Sequence, residues 1–429
     1  MEWQVYKLGD ICNIEKGITG ITKAIAGDYP MVALGEERRT HNEYQFDDEA
    51  VIIPLVSSTG HGHRSMKRIH FQSGKFALGS ILCAVIPKNK NQVSAQFLYR
   101  YLDLNKEQEL VSRMKGMANV TLPMNAIAEV NIPLPTIEEQ LEIVEKFDLI
   151  EKSNQMIEKE FSEQIFLLTN LRQQIQQDAL QGKLVPQNPN DEPASKLIES
   201  IKAEKEILVK LGKIKKERPL PLIKPEEIPF HIPNEWVWCR LGTLTNYGSS
   251  SKADTAHISE DTWVLDLEDI EKETSKLVAK VRYYERKALS TKSIFAKGDV
   301  LYSKLRPYLD KVIIADEDGV CTTEILPLKC YGGLNPSYFK VTLKSKNFLS
   351  YVNSVTKGMK MPRLGTKEGE LALIPIAPID EQHRIVEKID QLMQFCDELE
   401  NTIHQNLTNT QELLKVALKE ILTPQVFSL

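Results

Sequence analysis

Apolar residues recur at alternating steps of three and four over two long stretches of this 429-residue chain. In the first stretch Ile143, Ile150, Ile157 and Leu171 fall on one seam position and Phe147, Phe161, Leu168 and Ile175 on the other. In the second, Ile385, Leu392, Leu399 and Leu413 answer the first set, and Ile389, Cys396, Ile403 and Ala417 the second. A spacing of 3.5 residues kept over about five heptads predicts a coiled-coil seam. Polar residues on the seam, Asn154 and Gln164 in one copy and Asn406 and Thr410 in the other, are of a kind that sets register at some cost in stability. Elsewhere the pattern is shorter. Runs 50–56, 80–86, 300–305 and 311–315 read as strands and 94–104 as a helix, set among polar and glycine-rich loops, which makes the class α+β.

The two seams belong to a repeat. The seventeen residues from Ile132 return from Ile374, 242 positions later, with ten identities. Lys115-Gly116-Met117 recurs at the same offset as Lys357-Gly358-Met359, and Glu2-Trp3 resembles Glu235-Trp236 at a smaller one. The drift in offset places the length differences in loops. The expected order is a variable domain (1–135), a helical region (136–185), a linker with a short helix (186–234), a second variable domain (235–377) and a second helical region (378–424). Two seams in one chain most simply pair with each other; a second reading makes them unrelated surface helices, each buried on its own domain. Forty-odd helical residues span roughly 60 Å, so antiparallel pairing predicts two well-separated domains. Gln181-Gly182 is expected to end the first helix, 194–211 to form a solvated helix, and the proline-rich run 213–233 to be an extended connector whose Lys213, Lys215, Lys216 and Arg218 are solvated or touch phosphate.

Charge changes this picture locally. The whole chain carries −5, but Val56 to Lys115 holds ten Lys/Arg against three Asp/Glu, and so does Lys276 to Lys311. Such excesses suit phosphate contact on one face of each domain, unless acidic residues from other stretches cancel them in space. Within them, Ser57, Ser58, Thr59, His61, His63, Arg64, Lys67 and Arg68 form a donor-rich loop, with Arg64 suited to guanine and the hydroxyls to phosphate. His61 and His63 lack further metal ligands, so no metal site is assigned. Ser303, Lys304, Arg306 and Tyr308 form a second loop, where Lys304 and Arg306 either meet phosphate or pair with Asp310 and Glu324. The third pair of loops precedes the long helices: Lys115 and Asn119 in the first copy, Lys357, Lys360 and Arg363 in the second. The first helical region, with ten acidic and five basic residues between 136 and 184, is no DNA surface. The six cysteines have no C-x-x-C spacing and read as structural thiols. No run nears the ~20 apolar residues of a membrane span, and the first residues do not read as a secretory signal, so a cytosolic protein without membrane partners is expected.

There is no phosphate-binding G-x-x-x-x-G-K-[ST], no dinucleotide-binding G-x-G before a helix, no amino-methyltransferase tetrapeptide and no legible Ser/His/Asp set, so catalysis is not expected of this chain. The repeated helix starts at Ile132 and Ile374, the QGKLVPQNPNDEPAS segment from Gln181 and the SKLRPYLDK run from Ser303 resemble the specificity subunit of type I restriction-modification enzymes over essentially the whole chain. The resemblance implies a non-catalytic subunit with two target recognition domains, each reading one half of an asymmetric bipartite site in double-stranded DNA, held apart by two antiparallel helices. It implies two modification subunits that carry S-adenosylmethionine and methylate adenine, and two restriction subunits with ATP-driven translocation and nuclease activity that can join. The first domain starts almost at once, at Glu2, where many such subunits carry a further segment. Two alternatives stay open: a coiled-coil scaffold or adaptor without DNA readout, and part of a fused methyltransferase-nuclease system.

Overall fold

Strict alternation organises the first core. Ala50–Pro54 and Leu82–Pro87 are buried at every position, and their residues divide between two clusters. Val51, Ile53, Cys83 and Val85 join Phe97, Leu98 and Leu102, whereas Ala50, Ile52, Leu82, Ala84 and Ile86 join Val32, Phe46, Phe76 and Leu78. Successive side chains leave opposite faces of a strand, so a run apolar throughout is a strand covered on both sides.

The structure, a computed structural model, describes residues 3–20, 24–59, 62–216, 218–253, 258–287, 290–356 and 360–422. It divides into two units, 1–163 with 403–429, and 164–402. The first contains β1 (Gln4–Lys7), α1 (Leu8–Ile11), β2 (Cys12–Lys16), β3 (Tyr29–Val32), β4 (Arg39–His41), β5 (Phe46–Asp47), β6 (Ala50–Pro54), β7 (His70–Gln72), β8 (Lys75–Leu78), β9 (Leu82–Pro87), α2 (Ala95–Leu104), α3 (Lys106–Glu109), α4 (Met124–Ala128) and β10 (Asn131–Leu134), and α5 (Ile137–Leu180) begins in it. Two four-stranded sheets, β2-β9-β6-β7 and β4-β3-β8-β5, carry its core.

The second unit contains α6 (Ala194–Lys210), β11 (Val237–Arg240), α7 (Leu241–Leu244), β12 (Lys252–Ala253), β13 (Trp263–Leu265), β14 (Val281–Arg282), β15 (Lys292–Phe295), β16 (Val300–Ser303), β17 (Val312–Ile314), β18 (Gly319–Thr322), β19 (Ile325–Leu328), α8 (Pro336–Leu343), α9 (Lys346–Val355), α10 (Thr366–Leu371) and β20 (Leu373–Ile376), and α11 (Ile379–Ile421) begins in it. Its sheets run β12-β15-β18-β13-β14 and β17-β16-β19.

The repeat is the frame around both. In the first unit β1 pairs antiparallel with β10, Gln4 opposite Leu134; in the second β11 pairs with β20, Val237 opposite Ile376. Each ribbon leads directly into a long helix. Thr136 and Glu139 form a reciprocal capping box at the start of α5. One residue further on, Gln140 is fully buried: its amide donates to Gln92 O and Pro135 O and its oxygen accepts from Ser94 N. Gln382 repeats this in α11, donating to Ala377 O and accepting from Asn335 N. Ser94 and Asn335 are the N-caps of α2 and α8, so in each unit the repeated glutamine ties the long helix to the first turn of a core helix. At the far end of α5, Gly182 adopts φ +68° and Lys183 N closes on Asp178 O, which ends the helix as expected.

The heptad expectation needs correction. Ile143, Phe147, Leu168, Ile385 and Ile389 are buried and Ile150, Phe161, Leu392 and Ile403 half-buried, but Ile157, Leu171, Leu399 and Leu413 are exposed, Leu413 by 70%. Their neighbours Arg172, Glu400 and Leu414 take the covered positions. From Ile385 to Ile421 the covered stripe advances 36 residues in ten steps, the 3.6-residue period of a straight helix; in the first helix the covered positions 143, 147, 150 and 154 resume at 161 and run on to 179, with a gap at 155–160. Against a strict 3.5 repeat such a helix drifts about 20° per heptad, so after several heptads the stripe passes to the next residue. The pairing is antiparallel. In the second unit Arg172 meets Asp397 at 2.7 Å and Glu400 at 2.9 Å; in the first, Leu418, Ile421 and Leu422 join the core cluster that includes Ile143, Val144 and Phe147.

A second correction concerns α6, expected to be solvated. Ala194, Leu197, Ile198 and Ile201 are buried, and Lys205 lays its ammonium against Gly242 O at 3.0 Å and Thr245 O at 2.9 Å. These positions recur at helical spacing, so α6 is an amphipathic helix docked within the second unit. The described residues of the run after it carry little regular structure; Glu227, in the short turn Pro225–Glu227, pairs with Arg240 at 2.9 Å.

Candidate nucleic-acid interface

The chain leaving β6 makes the first candidate loop. Ser57 N donates to Val120 O at 3.0 Å and Leu122 N to Leu55 O at 2.9 Å, and Lys115 and Thr121 exchange two backbone bonds at 2.8 Å. Gly62, at φ +81°, lies where a Cβ would come within 2.4 Å of Met117 O, so only glycine lets the two loops meet. The chain leaving β16 repeats the arrangement in the second unit: Arg306 N donates to Pro362 O at 2.8 Å and Leu364 N to Lys304 O at 3.0 Å. Loops that read as separate in the sequence therefore become one patch per unit. Residues 57–59 and 62–68 adjoin the 115–121 loop that carries Lys115 and Asn119, and residues 304–306 adjoin the 362–364 segment that carries Arg363 and follows Lys360.

Within these patches the residues divide by what they already bond. Ser57 Oγ donates to His63 O at 2.6 Å and accepts from Ser65 N at 3.2 Å. Ser58 Oγ accepts from Lys67 N, and Thr59 Oγ1 lies 2.8 Å from Ser65 Oγ. These hydroxyls are bonded within the loop and shape it. Ser303 is 2% exposed and donates to Leu305 O, so it too is structural. Arg68 is held by Glu36 at 2.6 Å and Arg363 by Glu324 at 3.0 Å. His61 and Lys357 lie outside the described residues. His63, Arg64, Lys67, Lys115 and Asn119 are exposed in the first unit, as are Tyr308 and Lys360 in the second.

Lys304 and Arg306 do not pair with Asp310 and Glu324, because Lys344 has taken the first carboxylate, at 2.6 Å, and Arg363 the second. Lys304 is half-buried with no side-chain partner among the described residues, and Arg306 Nε is buried without one. Burial pushes the Asp310 carboxyl up to about 6, with the Lys344 ammonium pulling the other way. Lys344 was missed in the sequence reading; nothing in its neighbourhood along the chain signals it, since its partners lie 34 and more residues away.

The local charge excess is partly cancelled. Of the ten cations between 276 and 311, Lys280, Arg282, Arg286, Lys287 and Lys292 are ion-paired, mostly to acids of 260–269 and 316–317 outside that run. In the first unit Arg68, Lys90, Arg100, Lys106 and Arg113 are ion-paired. Among the described residues, the candidate loops keep a larger share of cations without an ion pair than the flanks. Among the described residues no group of three His, Cys, Asp or Glu side chains could hold a metal ion, and no helix is long and apolar enough to cross a membrane.

A family model described as the type I restriction modification DNA specificity domain matches residues 1–166 and 238–409. The EcoAI specificity subunit of a type I restriction enzyme from Escherichia coli is 35% identical over 255 residues, 54% of this chain and 41% of that protein. The EcoDI specificity subunit from the same organism is 25% identical over 99% of this chain and 90% of its own. A solved chain from work on complex assembly and conformational transition of the type I R-M system aligns over 99% of this chain and 98% of its own, with a TM-score of 0.57 at 17% identity, a likeness of fold. With most of the chain matched, both copies of the seventeen-residue repeat included, the chain belongs to the family of type I restriction-modification DNA specificity subunits.

Proposed function

We propose that this chain is the non-catalytic reader of a cytoplasmic type I restriction-modification assembly. Each unit reads one half of an asymmetric bipartite site in double-stranded DNA, the first through His63, Arg64, Lys67, Lys115 and Asn119, the second through Lys304, Arg306, Tyr308 and Lys360. Two modification subunits supply S-adenosylmethionine and the methyl transfer, and two restriction subunits supply ATP-driven translocation and cleavage. The observation that carries this reading is the repeated junction of two loops in each unit, which gathers cations without ion pairs among the described residues on one patch while many of the surrounding cations are ion-paired. Phosphate contacts of Lys and Arg fix position, and base-edge contacts of Arg and Asn specify sequence.

A salt titration of DNA binding by the chain purified with its modification subunits tests it. Six to ten phosphate contacts shared between two patches lower affinity by roughly 10³ or more between 50 and 200 mM salt. A flat dependence would leave the coiled-coil scaffold as the better reading.

A further inference from the structure

Among the described residues, four other than glycine have positive φ: Glu273 at 65°, Ser275 at 58°, Arg306 at 49° and Asp310 at 50°. All four lie in two touching loops of the second unit. Glu273 N donates to Leu309 O at 2.9 Å, Ser275 Oγ donates to Asp310 O at 2.7 Å, and Val312 N donates back to Ser275 Oγ at 3.1 Å. Lys344 closes the set. Its ammonium reaches Glu273 O at 2.9 Å, Ser275 Oγ at 2.8 Å, Asp310 O at 3.3 Å and Asp310 Oδ2 at 2.6 Å, with the side chain only 13% exposed. Lys344 is the C-cap of α8, whose Tyr338, Phe339, Thr342 and Leu343 are buried, so the ammonium is fixed to the core.

A left-handed conformation is disfavoured for every L-residue with a Cβ, and several together persist only where the surroundings over-determine them. Here they bracket one short feature. Arg306 and Asp310 flank the turn Pro307–Leu309, in which Pro307 is buried and Tyr308 is 51% exposed. The turn closes on two backbone bonds of its own, Leu309 N to Arg306 O at 2.9 Å and Asp310 N to Pro307 O at 3.0 Å, while Arg306 Nε and Asp310 Oδ1 are buried without partners among the described residues. The lysine adds the bonds that tie this turn to the Glu273–Ser275 loop. An aromatic ring on a turn with so little freedom, beside the unpaired Lys304, loses little entropy on stacking, and stacking on a base is tolerant of sequence.

We propose that Tyr308 stacks on a base or wedges into a base step of the half-site read by the second unit, and that Lys344 is the positioning residue holding its turn in the strained conformation. This rests on the DNA-reading function proposed above. The ligand is a nucleobase face, with neighbouring phosphate on Lys304 and Lys360.

The test uses the full chain with its modification subunits and a duplex carrying the site identified by methylation mapping, with 2-aminopurine substituted in turn at each step of either half-site. The parent complex should brighten the probe at one step of the second half-site. Tyr308→Ala should abolish that brightening and weaken binding roughly tenfold, with Tyr308→Phe restoring both. Lys344→Met should weaken the same half-site, and its effect should largely vanish in the Tyr308→Ala background. Probe brightening and affinity unchanged in Tyr308→Ala would overturn the proposal, as would a Lys344→Met variant that lost thermal stability alone. Arg64→Ala separates the two levels: weakened first-half-site binding with an indifferent Tyr308 refutes the wedge and leaves the reader standing, whereas indifference of both refutes the reader as well.

Discussion

His70 on β7 is 6% exposed, and Arg38 donates to its Nδ1 at 3.3 Å. Burial first, then the charges of Arg38 and Arg68, push its pKa from 6.5 down to about 4. As pH falls, the unfolded chain therefore takes up this proton before the folded one does. The neutral ring stabilises the fold fully above about pH 6.5, and that contribution fades as pH drops toward 4, by roughly 3 kcal/mol at about 1.4 kcal/mol per pH unit. Thermal unfolding from pH 7 to 4.5 should show His70→Gln, which keeps an acceptor for Arg38, declining less steeply than the parent; parallel curves would refute the assignment. At this scale Arg64, Lys67 and Lys115 were legible as basic residues in polar loops, and the structure leaves them exposed. The bonds that Ser57 and Ser303 make within their own loops were not legible, because a hydroxyl that builds a loop and one that meets a phosphate have the same letter in the sequence.

The long helices carry the repeat, and their buried glutamines show what the shared residues do. Gln140 and Gln382 were visible as identities 242 positions apart, but their function needed the neighbouring caps, Ser94 and Asn335, which lie about 46 residues back along the chain. Strands β6, β9 and β16 were legible as short β-rich runs, and the long helices from their seams. The seam faces were misjudged toward the far end of each helix, since a 3.5-residue template and a 3.6-residue helix part company only after several turns. Helix α6 was read by its charge when its apolar spacing was the better guide. Its docking makes a prediction. Ile201 is fully buried and lies so close to the 331–334 turn that a Cβ on Gly332 would come within 2.6 Å of it. Ile201→Ala should cost about 2–5 kcal/mol in urea unfolding followed by tryptophan fluorescence. Exposed Glu206→Ala on the same helix should stay within about 0.5 kcal/mol. Equal small effects would restore the solvated helix.

At the scale of the whole molecule, the first unit is assembled from residues 1–163 and from the end of α11. A chain cut at Lys213 keeps Ile143 and Phe147 but loses Leu418, Ile421 and Leu422, which belong to the same core cluster. By the 242-residue offset, Ile175 and Ala179 correspond to Ala417 and Ile421, so a second copy of the half-chain can offer the missing stripe in a two-fold contact. Residues 1–213 should sediment as a dimer at micromolar concentration, and Phe147→Asp should return it to monomer; a monomeric parent half would count against seam pairing. The same discontinuity governs how the chain is made. Residues that complete the first unit leave the ribosome 240 positions after Glu163, a delay of roughly 12 to 48 s at about 5–20 residues per second. Throughout that interval the apolar stripe around Phe147 waits without its covering helix, open to chaperones, proteases and neighbouring nascent chains on the same message. Where the gene is translated by closely spaced ribosomes, supply of intact reader is therefore set by how that interval is protected as much as by the stability of the finished fold.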